Sequence, residues 1–480
     1  MSSTVLDSAL SMAASRPTHS PHSSLPGATV AETRTALLKR AARNAMDYLE
    51  GLETRPVTAA TAAIAALNAL RGPLPPGPTS AEAVLHLLDT YGSPATMAQA
   101  GGRYFGYVIG GSLPASLAAG WLVSAWDQNA ATFVASPAAT VLEEIALEWV
   151  RDLLALPEGT GGGVVTGATM ANLSALAAAR HALLARAGWD VEADGLFGAP
   201  EITVVVGEEA HPSLFKALGL LGLGRKRVVR VPVDGQGRMR ADALPRLDAQ
   251  TILCLQAGNV NTGAFDPAAA ICPAARAAGT WIHVDGAFGL WAAASPEYRK
   301  LTKGFELADS WATDGHKWPN IGYDCGIALV RDPSTLRAAM SIRASYLAIG
   351  ELREPSDYNP ELSRRARGVE LWAGLRSLGR SGMAEIVERT SSHARRFAAG
   401  LKAAGYTVLN DVFINQVLVS FGTAERTLRT IERLQAEGTC WCGSTVWQGH
   451  TAMRISVSSW ATTREDVDLS LAAMLKAAEE

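Results

Sequence analysis

The sequence predicts an α/β fold: a mainly parallel central sheet covered by helices on both faces, followed by a small α+β domain. Three observations predict it. At 480 residues the chain is too long for one ordinary core. Through its middle, short β-rich runs alternate with stretches of helical pattern, the signature of a parallel sheet with crossover helices. Beyond about Arg376 that alternation gives way to a different order of helices and strands.

Met1 to about Ala28 is rich in Ser, Pro and His and lacks an apolar run before a cleavage site, so it reads as a floppy tail and not as a secretory signal. From Thr33 to Leu52 the residues Leu37, Leu38, Ala41, Ala45, Met46, Leu49 and Leu52 recur at helical spacing, which predicts an amphipathic helix in need of a partner surface. Arg71 to Pro78, crowded with Gly and Pro, reads as a linker. The β-rich runs are Ile202 to Val206, Val228 to Val233, Ile252 to Gln256, Trp281 to Val284, Asp309 to Thr313 and Gly326 to Val330. Helices are expected between them over Met170 to Ala187, Ser213 to Leu221 and Asp266 to Ala278. Toward the C-terminus the pattern is a helix (Ala384 to Ala403), strands (Tyr406 to Leu409, Asn415 to Phe421), a helix (Thr427 to Glu437), a strand (Met453 to Val457) and a helix (Thr463 to Ala478). These divide the chain into an N-terminal tail and helical arm (1–105), a large α/β domain (106–375) and a small α+β domain (376–480).

Composition excludes several classes. Hydrophobic residues make up 48% and charged residues 19%, the profile of a globular enzyme. A net charge of -3 with scattered Lys and Arg gives no footprint for nucleic acid, and Arg225-Lys226-Arg227 reads as a solvated strand entry. Leu113 to Ala125 is the most apolar region, and it is short of the ~20 residues of a membrane span. The five cysteines, Cys254, Cys272, Cys325, Cys440 and Cys442, lack the spacing of a metal site or a disulfide framework, which predicts a reducing, cytoplasmic setting and no metal.

Ligands of parallel sheets sit beyond the carboxyl ends of the strands, and there four segments stand out. In His283-Val284-Asp285-Gly286-Ala287 a carboxylate closes a β-run; alone it reads equally as a helix N-cap. In Asp314-Gly315-His316-Lys317-Trp318 a basic pair follows the next strand. A lysine amine beside aromatic and apolar groups can have its pKa lowered enough to form a Schiff base with an aldehyde. Pyridoxal 5'-phosphate (PLP) is such an aldehyde, and it is the better electron sink when a carboxylate keeps its pyridine nitrogen protonated. Lys317 supplies the amine and Asp285 the carboxylate. The third segment, Gly161 to Leu173, is a Gly-rich turn entering a helix, suited to a phosphate, with Thr166 and Thr169 hydroxyls at hand. It is neither a Walker loop nor a GxGxxG fingerprint. The fourth, Glu209 to Lys216, places His211 after a strand, where an imidazole can stack on a flat ring; alone it reads more readily as a hydrogen-bonded loop histidine.

In chain order these segments resemble the group II pyridoxal-dependent decarboxylases, the family of aromatic L-amino-acid, glutamate and cysteine-sulfinate decarboxylases. The likeness runs from about Arg103 into the C-terminal domain. It is most specific over Ala308 to Trp318 followed by Tyr323-Asp324-Cys325-Gly326, with support from Ala135 to Thr140 with Glu143 and from Gly258 to Asp266. The resemblance implies a PLP-dependent transferase-like fold, the type I fold of aspartate aminotransferase, and a homodimer with its active site at the subunit interface. It implies that Lys317 forms the Schiff base, that His316 bonds the phosphate, that Asp285 pairs with the pyridine nitrogen, that Ala287 lies under the ring and that His211 stacks on the other face. Gly167, Ala168 and Thr169 fall in the phosphate turn, Asn261 joins the cofactor set, and Tyr346 matches a loop tyrosine that protonates the carbanion left after CO2 departs. Arg454, on the strand Met453 to Val457, could approach a substrate carboxylate, though a strand-end arginine is as often structural. Two departures stand in the phosphate turn, Ala168 for a glycine and Met170 for a glutamate. The expected activity is conversion of an L-amino acid, aromatic or other, to its amine and CO2. The rivals are an aldehyde-forming relative, which tends to carry Phe where Tyr346 stands, a carbon-carbon lyase of the same family, and a noncatalytic scaffold.

Overall fold

A computed structural model describes residues 30–342 and 352–479. The N-terminal tail and Tyr346 lie outside the described residues. The described residues form two compact units, 30–51 with 61–95, and 52–60 with 96–342 and 352–479.

The first unit contains helix α1 (Val30–Glu50) and shorter helices at Thr61–Ala66 and Ala81–Leu87. The expected amphipathic helix is present, and its apolar stripe lies open: Leu38 and Met46 are exposed. None of this unit's described side chains is buried.

The second unit is built on two sheets. Helices α2 (Pro114–Trp126) and α3 (Pro137–Leu153) lead into strand β1 (Gly161–Val165) and helix α4 (Ala168–Arg186). There follow β2 (Thr203–Gly207), α5 (Pro212–Leu220), β3 (Val229–Val231), β4 (Thr251–Gln256), α6 (Ala268–Ala277), β5 (Trp281–Asp285), β6 (Ser310–Asp314), β7 (Gly326–Val330) and α7 (Pro333–Met340). The seven strands lie in the order β1-β7-β6-β5-β4-β2-β3. The pairs β3/β2, β2/β4, β4/β5 and β5/β6 are parallel, and β7 runs against both β6 and β1. The mainly parallel sheet expected from the alternation is therefore present with one reversed strand. Every residue of β5, β6 and β7 is buried, as strands covered on both faces must be.

Strand β1 was hidden inside the Gly-rich segment because glycine is depleted in strands. Here the lack of a side chain is required: a Cβ on Gly162 would lie 1.7 Å from the Ala328 carbonyl oxygen of β7. The expected strand Val228 to Val233 shrinks to the three residues of β3 at the sheet edge.

Helix α8 (Arg367–Ala403) breaks at Gly379, whose φ of 60° is left-handed. Beyond it β8 (Thr407–Val408), β9 (Gln416–Ser420), α9 (Ala424–Glu437), β10 (Gly443–Trp447), β11 (His450–Ser456) and α10 (Arg464–Glu479) form an antiparallel sheet, order β10-β11-β9-β8, backed by helices. Strand β10 escaped the sequence reading because Gly443-Ser444-Thr445 carries no apolar alternation. Cys440 and Cys442 flank Trp441, and both are buried. Among the described residues no helix is long and apolar enough to cross a membrane.

Candidate active site

The carboxyl ends of the parallel strands converge, as the doubly wound arrangement dictates. Strand β2 is followed by Glu209 and His211, β4 by Asn261, β5 ends on Asp285 and leads to Ala287, and β6 ends on Asp314 and leads to His316 and Lys317. His211, Asn261, Asp285, Ala287 and Lys317 line one cavity of about 560 Å³, whose far wall is Thr445 to Gln448 and Arg454 from the second sheet.

Lys317 Nζ lies 3.2 Å from Asp314 Oδ2. The other carboxylate oxygen of Asp314 is buried without a hydrogen-bond partner. A Cβ on Gly167 would stand 3.3 Å from His316 Cε1 and 3.7 Å from that free oxygen, so the Gly-rich turn abuts the His316 side of the site. Gly167 is the N-cap of α4 and no side chain caps the helix, which leaves first-turn N–H groups of Ala168 and Thr169 for an anion. His316 Nδ1 accepts from the Cys325 N–H at 3.2 Å, so the neutral ring carries its proton on Nε2, and burial pushes its pKa down. A lysine amine and a buried carboxylate in one cavity, with an uncapped helix end beside the His316 ring that adjoins Lys317 in sequence, fit a phosphorylated aldehyde with a basic ring nitrogen.

His211 caps α5. Its Nδ1 accepts from the Ser213 N–H at 3.2 Å, and burial lowers its pKa against the opposing pull of Asp285. Burial pushes the Asp285 carboxyl up, opposed by His211, Lys317 and a hydrogen bond from Asn172 Nδ2 to Oδ2 at 3.1 Å. Arg454 reaches the Val260 carbonyl oxygen at 3.4 Å, and no carboxylate among the described residues pairs with it. Burial lowers its pKa.

Several residues here were not singled out in the sequence. Glu209 accepts from Asn259 Nδ2 at 3.0 Å, Trp447 Nε1 at 2.9 Å and Gln448 Nε2 at 2.9 Å, and so ties the β10–β11 hairpin to the loop after β2. Asn172 and His283 lie behind Asp285, bonded to each other at 2.8 Å. The signal for His283 was present, two positions before Asp285 and hence on the same strand face. Nothing local pointed to Asn172.

Fully buried, His283 is pushed down to about 3 by desolvation. Its ordinary value is 6.5, so the unfolded chain binds this proton where the folded chain refuses it. The contribution to stability is complete above about pH 6.5 and is lost as pH falls toward the folded value, at up to ~1.4 kcal/mol per pH unit. Denaturant titrations at about pH 7 and about pH 5 are expected to differ by about 2 kcal/mol from this residue, and His283→Phe, though less stable, is expected to show a slope flatter by that amount.

Residues 99–423 match the family described as the pyridoxal-dependent decarboxylase conserved domain. Tryptophan decarboxylase 1 of Oryza sativa subsp. japonica is 28% identical over 468 residues, covering 88% of this chain and 89% of that protein. Aromatic-L-amino-acid decarboxylase of Drosophila lebanonensis is 31% identical over 380 residues, 73% of this chain and 91% of that protein. The fold superposes on the crystal structure of Oryza sativa TDC with PLP and tryptamine with a TM-score of 0.86 at 24% identity, over 95% of this chain and 99% of that one. With its conserved domain matched and its sheet superposed, the chain belongs to the pyridoxal-dependent decarboxylase family and is a PLP-dependent lyase.

Proposed function

We propose that this enzyme removes the α-carboxylate of an L-amino acid, releasing CO2 and the amine, with Lys317 as the residue that holds the cofactor covalently. The observation that carries this reading is the single cavity lined by both the Lys317 amine and the Asp285 carboxylate. When bound, PLP supplies a sink for the electron pair left as the carboxylate departs. Asp285 would hold the proton on the ring nitrogen, and His211 and Ala287, which line the same cavity, would receive the ring. The first turn of α4, at Gly167, Ala168 and Thr169, holds the phosphate with His316 Nε2–H, and Asn261 completes the cofactor set. Arg454, without an acidic partner among the described residues, would meet a substrate carboxylate. Tyr346 would deliver the proton to Cα, with His211 and the Lys317 amine assisting.

Two relatives are phenylacetaldehyde synthases, of Rosa hybrid cultivar and Arabidopsis thaliana. The tyrosine at position 346 supports simple decarboxylation over aldehyde formation. Incubating the holoenzyme with each common amino acid and measuring CO2 and products decides it: amine with CO2 is the expected outcome, while aldehyde with ammonia or peroxide defeats the reading.

A homodimer with an interfacial site fits an N-terminal unit with no buried side chain among its described residues and a helix α2 that exposes Trp121, Leu122 and Trp126. Five free, buried cysteines fit a cytoplasmic setting.

The phosphate turn has no slack. A Cβ on Gly326 would lie 2.4 Å from the Gly167 backbone, so Gly326→Ala must push the turn away from its position. The expected result is folded protein that loses PLP on dialysis, read by visible absorbance.

A further inference from the structure

The polar side chains behind Asp285 form an unbroken line. Trp281, His283 and Asp285 alternate along β5 and so share one face; α4 brings Asn172 to that face, and Ser310 stands opposite His283 on β6. Trp281 Nε1 donates to Ser310 Oγ at 2.9 Å, and Ser310 Oγ lies 2.9 Å from His283 Nδ1. His283 Nε2 lies 2.8 Å from Asn172 Oδ1, and Asn172 Nδ2 donates to Asp285 Oδ2 at 3.1 Å. Asn172, His283 and Ser310 are fully buried.

The two ends dictate the direction of this line. An indole N–H can only donate and an ionised carboxylate can only accept. Trp281 therefore takes a lone pair of Ser310, whose own hydrogen goes to His283 Nδ1. A neutral imidazole that accepts at Nδ1 carries its proton on Nε2, which meets the amide oxygen of Asn172 and turns the amide hydrogens toward Asp285. Every group is satisfied. Were Asp285 protonated and donating to the amide oxygen, the amide would donate to His283, His283 would donate to Ser310, and the Ser310 hydrogen would have no partner in the line.

We propose that Trp281, Ser310, His283 and Asn172 act as a one-way hydrogen-bond relay that keeps Asp285 ionised and aimed into the cavity, making Asn172 and His283 positioning residues for the carboxylate that serves the cofactor ring nitrogen. The relay rests on the role given to Asp285 above. It opposes the burial that pushes the Asp285 carboxyl up, and the burial that holds His283 neutral supplies the tautomer it requires. The other charged or titratable groups that act on Asp285 are His211, Lys317 and Asp314, from the loop after β2, the loop after β6 and the end of β6, and the Cys254 thiol of β4, which burial pushes up and so keeps neutral.

The direct test reads the tautomer. In holoenzyme carrying 15N-labelled histidine, the signal lost in His283→Phe is expected to report a neutral ring protonated on Nε2 throughout the range in which exposed histidines titrate. A proton on Nδ1, or a second proton in that range, overturns the relay. Asn172→Leu, which removes the final donor, is expected to lower kcat roughly tenfold to a hundredfold with KM little changed, the loss of one charged hydrogen bond. The pH at which the visible cofactor band changes is expected to move by about one unit. A wild-type kcat and band profile in Asn172→Leu overturns the relay as well. Covalent cofactor persisting in Lys317→Ala would instead defeat the functional reading, while the wild-type tautomer stays measurable, so the two failures are distinguishable.

Discussion

Lys317→Ala is expected to abolish covalent cofactor attachment and to lower turnover by roughly four to six orders of magnitude, the scale at which loss of a covalent catalytic group registers. The geometry explains why no neighbour substitutes. Lys317 is the one lysine lining the cavity among the described residues, and Asp314, 3.2 Å from Nζ, anchors the amine at the end of β6. Alanine also leaves the Asp314 carboxylate without its cation, next to an oxygen already buried and unpartnered. Two measurements check this: borohydride trapping, where wild-type protein retains the cofactor through denaturation and the variant does not, and single-turnover CO2 release. A variant with wild-type turnover would remove Lys317 from the mechanism.

The largest expected effect on stability lies away from the chemistry. Arg364 and Glu143 pair at 2.8 Å with side chains 0% and 1% exposed. Arg364 also donates to the carbonyl oxygens of Ala130 and Val164. Arg364→Met leaves the Glu143 carboxylate buried and two carbonyls unserved, a loss of about 3–5 kcal/mol. Arg353, 3.8 Å from the other Glu143 oxygen, offsets part of that charge and favours the lower end. The double change Arg364→Met with Glu143→Leu removes both charges and is expected to recover a substantial part of the loss. Denaturant titration of the two variants checks this; equal stability of wild type and the single variant would show that the pair contributes nothing.

Much of the site was legible before any coordinates because the residues that face a ligand in a parallel sheet must follow the strand ends. Asp285, His316, Lys317 and His211 each stand at or just past a β-run that the sequence displays plainly. What hid the rest was chemistry without local pattern. The glycines of β1 read as a turn, since only the Ala328 carbonyl passing within 1.7 Å of a would-be Cβ explains their presence in a strand. Glu209 carries no local signal, since the partners that define it, Trp447 and Gln448, come from the second sheet.

By itself the sequence determined the α/β class, the order of β2 to β7 along the chain and the placing of an amine and a carboxylate just at or beyond neighbouring strand ends. Those follow from periods of two and 3.6 residues and from residue type, which are local properties. Only the tertiary structure decided that β7 runs backward, that Arg454 lines the cavity, and that Asn172 sits behind Asp285. The reason is distance along the chain: Asn172 is 113 positions from Asp285 and 111 from His283. No local periodicity encodes which buried groups across such a gap will satisfy one another.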